Sequence, residues 1–258
     1  MSLARNLTGL AAGLLVTGAV AATPALADPV DTAQASSTPS EVSAQDVSPT
    51  IIDGREVDSA PWAARLFVDD QQTCSASIIA PEWILTAQHC VADATDGNGL
   101  SFNIGDVDQS KGEHADAVPG EVHIHDAADV AVVKIDHAVQ TDYAPLGDPG
   151  TVGTGDTVQT YGWGATCTDR PEIECQSQIL KVADVNVTAV NGDCTDYRGG
   201  KAICAQYGDG IPAGGDSGGP MFAGDTQVGV ASTSDRASNT AYVNITQYRD
   251  WISSIAGV

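Results

Sequence analysis

Glycine and proline cut the chain into short apolar runs: Ser77–Ile79, Trp83–Thr86, Val130–Ile135, Thr157–Tyr161, Val182–Val187 and Val228–Ala231. Each is too short for a stable helix. Most are rich in β-branched or aromatic side chains, which fit a pleated, half-buried surface. The 27 Gly and 12 Pro between and around them supply turns, because Gly reaches positive φ and Pro pre-sets a bend. Spaced short strands with turn signals between them predict an all-β sandwich or barrel. No internal repeat is evident, and no long helical periodicity appears before the end. There Ile245, Tyr248 and Ile252, with Trp251 beside the last, follow spacings of three and four, which predicts a C-terminal helix.

The first 50 residues differ from the rest. Arg5 gives a positive start, and Ala25-Leu26-Ala27 has the small-x-small form of a cleavage site. The apolar stretch Leu10 to Ala22 is only 13 residues long, too short to span a hydrocarbon core of about 30 Å. The pattern predicts a secretory signal peptide over 1–27, hence an extracellular protein, and no membrane anchor. Residues 28–50 are dominated by Ser, Thr, Ala, Pro and acid, with no aromatic residue and no Lys or Arg. Such a stretch cannot bury enough apolar area to offset its chain entropy. It is either a pro-segment or a linker.

The remaining 208 residues, 51–258, are ample for a core and can fold as one all-β unit. They carry 10 of the 11 basic and 30 of the 34 acidic residues, a formal charge of −20. No basic stripe is present to neutralise phosphates, so nucleic acid is not an expected partner. The acidity reads as solubility outside the cell, with attraction of basic protein substrates as the other reading. Six cysteines behind a signal peptide predict three disulfides, and 15 pairings are open from sequence alone. No Cys-x-x-Cys pair and no paired-histidine spacing fits zinc, and no metal or cofactor is expected.

Chemistry is concentrated in three places. In Gly215-Asp216-Ser217-Gly218-Gly219-Pro220 a serine sits in a glycine-rich turn. Glycine has no Cβ, so other atoms can approach the backbone closely. Such a turn can aim the N–H groups of Gly215 and Ser217 at one point beside a hydroxyl, which is what acyl transfer needs. Thr86-Ala87-Gln88-His89-Cys90 supplies a histidine, and Asp129 heads the apolar run Val130–Ile135. Asp126 is a rival for Asp129, which the adjacent apolar run favours. His114, His123, His125 and His137 read as surface or structural.

At these residues the chain resembles the secreted trypsin/chymotrypsin-like serine proteases, whose patterns are GDSGGP, TAAHC and DIALLKL in the order His, Asp, Ser. The resemblance runs from Ile51 to about Trp251. It implies two six-stranded antiparallel β-barrels with a C-terminal helix, the crossing segment at Ala144 to Asp156, and the site in the cleft between barrels. It implies Ser217 as nucleophile, His89 as general base, and Asp129 fixing the histidine tautomer, with Ser232 supporting the buried aspartate. It implies Cys74–Cys90 and Cys194–Cys204; with those two given, Cys167 and Cys175 would close a short loop. Ile51-Ile52-Asp53-Gly54 looks like the family's mature start. Residues 28–50 then read as a pro-segment and 51–258 as the peptidase domain, with the freed amine of Ile51 pairing with Asp216. Partners by resemblance are protein or peptide substrates and protein protease inhibitors, and a monomer is expected. The Ala- and Gly-rich, Lys-poor composition looks bacterial.

Three departures matter. Gln88 stands where the family has a small residue. Ala213 stands where many members have a cysteine. Ile211 stands at the pocket base, where trypsin-like members carry an aspartate, with Ser234 and Thr240 at the walls. Ile211 offers no counter-charge to a buried cation, so the pocket is expected to take small or medium apolar residues before the scissile bond. A gap misplaced by two residues would bring Asp209 there and restore a trypsin-like preference. Asp106, Asp108 and Glu113 lie where some members bind calcium; the alternative is a solvated acidic loop. The rival class to an enzyme is a non-catalytic protease homologue that binds a partner; an esterase is a third reading.

Overall fold

The computed structural model describes residues 51–258, so the signal and pro-segment readings lie outside the described residues. Thirteen strands and one α-helix form two closed antiparallel barrels. The first contains β2 (Ala63–Val68), β3 (Gln71–Ala80), β4 (Trp83–Thr86), β5 (Leu100–Ile104), β6 (Glu113–Ile124) and β7 (Ala131–Ile135). They close in the order β2-β3-β4-β7-β6-β5. The second contains β8 (Thr157–Gly162), β9 (Lys181–Thr195), β10 (Lys201–Tyr207), β11 (Pro220–Ala223), β12 (Thr226–Ser234) and β13 (Asn239–Asn244). It closes because β8 pairs with both β11 and β9. The two-residue strand β1 (Arg55–Glu56) adds to the edge of β9.

Closure follows from the pattern of side chains. Closed barrels leave no strand edge unpaired, and each strand buries its inward face. Leu66, Ile78, Ile84, Leu85, Phe102 and Ile104 fill the first barrel's core. Val158, Val185, Ile203, Met221, Val228 and Tyr242 fill the second. Phe222, Val230 and Val243 of the second barrel join the first cluster, so the apolar interior is continuous across the barrel interface. Trp62 packs there against Tyr161 and Phe222, with ring centroids 5.0 and 4.6 Å away. Between β2 and β3, Asp69 and Asp70 both adopt positive φ, 49° and 63°. That is the requirement of a tight two-residue hairpin, met here without glycine.

Residues 144–156 carry no strand and connect the barrels. They are held by Ala144 N–H on the Ile78 carbonyl and by Gly147 N–H on the Gln227 carbonyl. The six cysteines pair as Cys74–Cys90, Cys167–Cys175 and Cys194–Cys204.

The C-terminal helix begins later than its periodicity predicts. Ile245–Gln247 form one 3-10 turn, and helix α1 runs Arg249–Ala256. Tyr248 sits between them with φ −117° and ψ 13°, outside helical geometry, while its hydroxyl accepts the N–H of Lys201 at 2.8 Å. That anchor to β10 breaks the helix in two. Gly257 ends α1 in the left-handed conformation that lets a helix stop. Ile252 is fully buried in the large core cluster. Ile252→Ala should therefore lose about 2–5 kcal/mol in urea unfolding. The exposed Ser253→Ala should change stability by no more than about 0.5 kcal/mol. Equal effects would mean that the helix does not dock.

Candidate active site

Strand pairing brings His89 and Asp129 together across 40 residues of chain. β4 and β7 run antiparallel with Thr86 opposite Ala131. The chain leaving β4 through the 3-10 turn Gln88–Cys90 therefore lies beside the chain entering β7 at Asp129. Asp129 is fully buried, and its carboxylate is well supplied with donors. Oδ1 accepts the N–H of His89 at 2.9 Å. Oδ2 accepts His89 Nδ1 at 2.8 Å and the Ser232 hydroxyl at 2.6 Å. A carboxylate offers only acceptors, so Nδ1 carries the proton and Nε2 of the neutral ring is left as an acceptor. Ser232 in turn accepts the N–H of Tyr197 at 3.0 Å.

Ser217 lies on the turn that enters β11, and it lines the same cleft as His89. Its carbonyl accepts the N–H of Ser75 from β3 at 2.8 Å, so the turn of the second barrel is fixed to the first. Among the described residues, no direct hydrogen bond joins Ser217 Oγ to the His89 ring. In a site without substrate, catalytic hydrogen bonds are often long and tighten on binding.

Most backbone N–H groups of the turn are bonded. Gly214 N–H goes to Glu172 Oε1, Asp216 N–H to the Ala213 carbonyl, Gly218 N–H to the Ala231 carbonyl and Gly219 N–H to the Asp216 carbonyl. Gly215 and Ser217 are the two left over: among the described residues neither N–H has a partner. Two glycines make this path possible. Gly215 and Gly218 have φ of +99° and +77°, a region that L side chains rarely adopt. A Cβ on Gly215 would lie 2.7 Å from Gln176 Nε2, and one on Gly218 would collide with Thr86 Oγ1 and the Ser75 carbonyl.

Below the turn lie two buried charged groups, Asp216 and Arg65, of which the sequence reading missed Arg65. Arg65 of β2 is completely buried. Its Nη1 donates to the Gly215 carbonyl at 3.1 Å, which also accepts the Ser75 hydroxyl at 2.9 Å, and its Nη2 donates to Gln176 Oε1. Arg65 Nε has no partner. Burial lowers the guanidinium to about 10, while the nearby Asp216 charge works the other way. Asp216 is itself fully buried. Desolvation raises its carboxyl to about 6, against the opposing hydrogen bonds from Ala213 N–H and Gly164 N–H at 2.8 and 2.7 Å. Asp196 was also missed: its Oδ2 accepts the N–H of Asp129 at 3.1 Å.

The other expected site residues are distributed as follows. Ser234 and Thr240 line the cleft, a cavity of about 270 Å³, together with Pro212, Ala213 and Arg236. Ile211 is not part of the lining. It is fully buried, its backbone pairing with Ile52, and its neighbour Pro212 faces the cavity instead. Asp209 is half exposed and pairs with Arg55 at 2.7 Å, so it supplies no charge to the cleft. Asp126 touches Arg198 only through its carbonyl. Gln88 is half-buried in the turn beside His89. Ile51 is fully buried, but no hydrogen bond or ion pair joins it to Asp216 among the described residues. In the uncut chain its nitrogen is an uncharged amide. Asp108 is occupied by Ser110, Gln178 and Lys111 rather than facing Asp106 and Glu113 as a ligand set. The one group of described residues with metal-ligand spacing, Cys74, His89 and Cys90, has its two sulfurs bound to each other.

The buried Asp216 carries a pH signature. Its pKa in the uncut chain is raised from 3.8 to about 6. A raised carboxyl contributes stability that is complete below the unfolded pKa and is lost as pH rises through the folded one. Urea midpoints of a Ser217→Ala background should therefore carry a component that falls between about pH 4 and about pH 7. Adding Asp216→Asn should remove it. An identical pH dependence with and without Asp216→Asn would contradict the assignment.

Comparison with known proteins agrees with this geometry. The trypsin family profile matches residues 51–252. Brachyurin from Leptuca pugilator is 29% identical over 231 residues, covering 78% of this chain and 95% of its own. Trypsin iota from Drosophila melanogaster is 27% identical over 238 residues, covering 83% and 92%. The crystal structure of a mutant of human heparin-binding protein superposes with a TM-score of 0.68 at 19% identity, covering 79% and 96%; at that identity it shows the fold alone. These relatives are animal proteins, so the bacterial look of the composition finds no support in them. No helix of the described residues is long and apolar enough to cross a membrane. The two closed barrels and the match across residues 51–252 place the chain in the trypsin family of serine endopeptidases.

Proposed function

We propose that the chain is the precursor of a secreted, catalytically active serine endopeptidase that cleaves protein substrates through Ser217, His89 and Asp129. One observation carries the reading: Gly215 and Ser217 keep their N–H groups free in a turn where each neighbouring N–H is spent. Unpaired backbone donors are costly and rare, and they are useful where negative charge develops on a carbonyl oxygen. Ser217 attacks the scissile carbonyl, and His89 Nε2 takes its proton. The tetrahedral oxyanion is met by the two free N–H groups. The imidazolium is stabilised by Asp129, already held by Ser232. His89 then protonates the leaving amine, and water repeats the sequence on the acyl-enzyme.

A non-catalytic homologue is the second reading, since a structural neighbour is named for binding heparin. Heparin is a polyanion, and the −20 charge of residues 51–258 opposes such a ligand here. Labelling of Ser217 by a sulfonyl fluoride separates the readings. Ser217→Ala and His89→Ala should each abolish nearly all peptide hydrolysis, and the double variant should be little worse than either, because the residues act as a unit. Most activity surviving in Ser217→Ala would end the assignment.

The site is also read as a zymogen switch. Ile51 is already buried, and Asp216 is buried without a carboxylate-bound cation. Cleavage after Thr50 would turn the Ile51 nitrogen into an ammonium able to satisfy that charge. N-terminal sequencing of active enzyme should begin at Ile51, and activity should rise on that cleavage. Full activity with residues 28–50 still attached would defeat the switch and leave the triad standing.

A further inference from the structure

Glu172 stands behind the wall of the cleft and ties three segments together. It belongs to the loop closed by Cys167–Cys175, within the 3-10 turn Glu172–Glu174. Its Oε1 accepts the N–H of Gly214 at 3.2 Å, beside the serine turn, and Nε of Arg236. Its Oε2 accepts Nη2 of Arg236 at 3.1 Å. Arg236 lines the cleft and, among the described residues, is the sole arginine or lysine that does so.

The backbone that presents this arginine is held in a defined bend. Its φ of +61° is unusual for a residue with a side chain. Asp235 fixes the bend by accepting the N–H groups of Ala237, Ser238 and Asn239. Arg236 N–H is itself bound to Ser234 Oγ at 2.9 Å. Pairing raises the guanidinium and holds the Glu172 carboxyl below its ordinary range, the Glu172–Arg236 hydrogen bond being the first cause of both.

We propose that the Glu172–Arg236 pair filters substrates by the charge of the residue before the scissile bond, with Glu172 masking an anion site in the pocket wall. The inference rests on the peptidase reading above. A basic side chain entering the cleft meets Arg236 and finds no carboxylate among the lining residues. An acidic one finds the guanidinium already taken by Glu172. Either sign is stranded at a cost on leaving water, so uncharged side chains are favoured. Ile211 has no part in this selection, because it does not line the cleft. Neutralising Glu172 frees the guanidinium for an acidic side chain.

The test compares kcat/KM for peptides that differ only in that residue, as Ala, Glu or Arg. Ratios within one variant cancel any general change passed to the turn through Gly214. Glu172→Gln keeps the shape and an acceptor for Gly214. It should raise the Glu-over-Ala ratio about tenfold, the difference between a charge-assisted and a lost partner. Adding Arg236→Gln should abolish that gain. Arg236→Gln alone should instead raise the Arg-over-Ala ratio, because Glu172 is then unpaired. An unchanged Glu-over-Ala ratio in Glu172→Gln, or a wild type that prefers Arg or Glu, overturns the filter. A protein that labels at Ser217 and cleaves, with ratios unmoved by the variants, loses the filter alone. A protein that neither labels nor cleaves loses the peptidase reading and the filter together.

Discussion

The structure depends on burying the Asp129 carboxylate without leaving its charge bare. An unpaired carboxylate removed from water costs several kcal/mol even after relaxation. Here the donors come from separate parts of the chain. His89 supplies two from the turn after β4, and Ser232 supplies one from β12 of the other barrel. The aspartate therefore fixes the histidine ring and fastens the barrels to each other in one set of contacts. Asp196, from the loop after β9, holds the Asp129 backbone from the far side.

A second buried charge supports the other half of the site. Arg65 crosses from β2 into the second barrel and grips the carbonyl of Gly215. Its neighbour Asp216 accepts N–H groups from Gly164 and Ala213. The two charges moderate one another's desolvation, yet Arg65 Nε remains unpaired. Buried charges without a direct counter-ion are costly compared with apolar packing. Their position under the serine turn points to geometry as what they secure.

Much of this was legible in the residues. The short runs between turns sufficed for an all-β class, sandwich or barrel, because strand side chains must fit a pleated surface wherever they pair. His89, Asp129 and Ser217 were legible as a candidate set because each sits in a local pattern with its own backbone requirement. Arg65 was not, since in Ala63-Ala64-Arg65-Leu66-Phe67 it has the look of an outward-facing strand residue; only the second barrel covers it. Asp196 and Glu172 sit in polar loops, where an acid that grips a distant N–H cannot be told from a solvated one. Ile211 was placed at the pocket base by alignment, but its backbone pairing with Ile52 turns it into the core. The disulfide pairs and the second barrel's closure came from resemblance, because spacing alone leaves the pairings open.

The pattern of bonded and free N–H groups in the serine turn shows why recognition and chemistry cannot be independent here. The turn is held from the side by Glu172 on Gly214, from the opposite strand by Ala231 on Gly218, and from the first barrel by Ser75 on Ser217. Each restraint ends on a residue that carries a free donor or lies next to one. The donors of Gly215 and Ser217 are thus aimed before substrate arrives, and little reorganisation is left for the moment when charge develops. The same Glu172 oxygen that restrains Gly214 also binds Arg236 in the cleft wall. Under the proposed mechanism, a side chain that pulls on Arg236 would therefore pull on the turn, and a poorly matched substrate would lose orientation of the oxyanion donors as well as binding. Discrimination would then belong to kcat as much as to KM, because one carboxylate serves two walls.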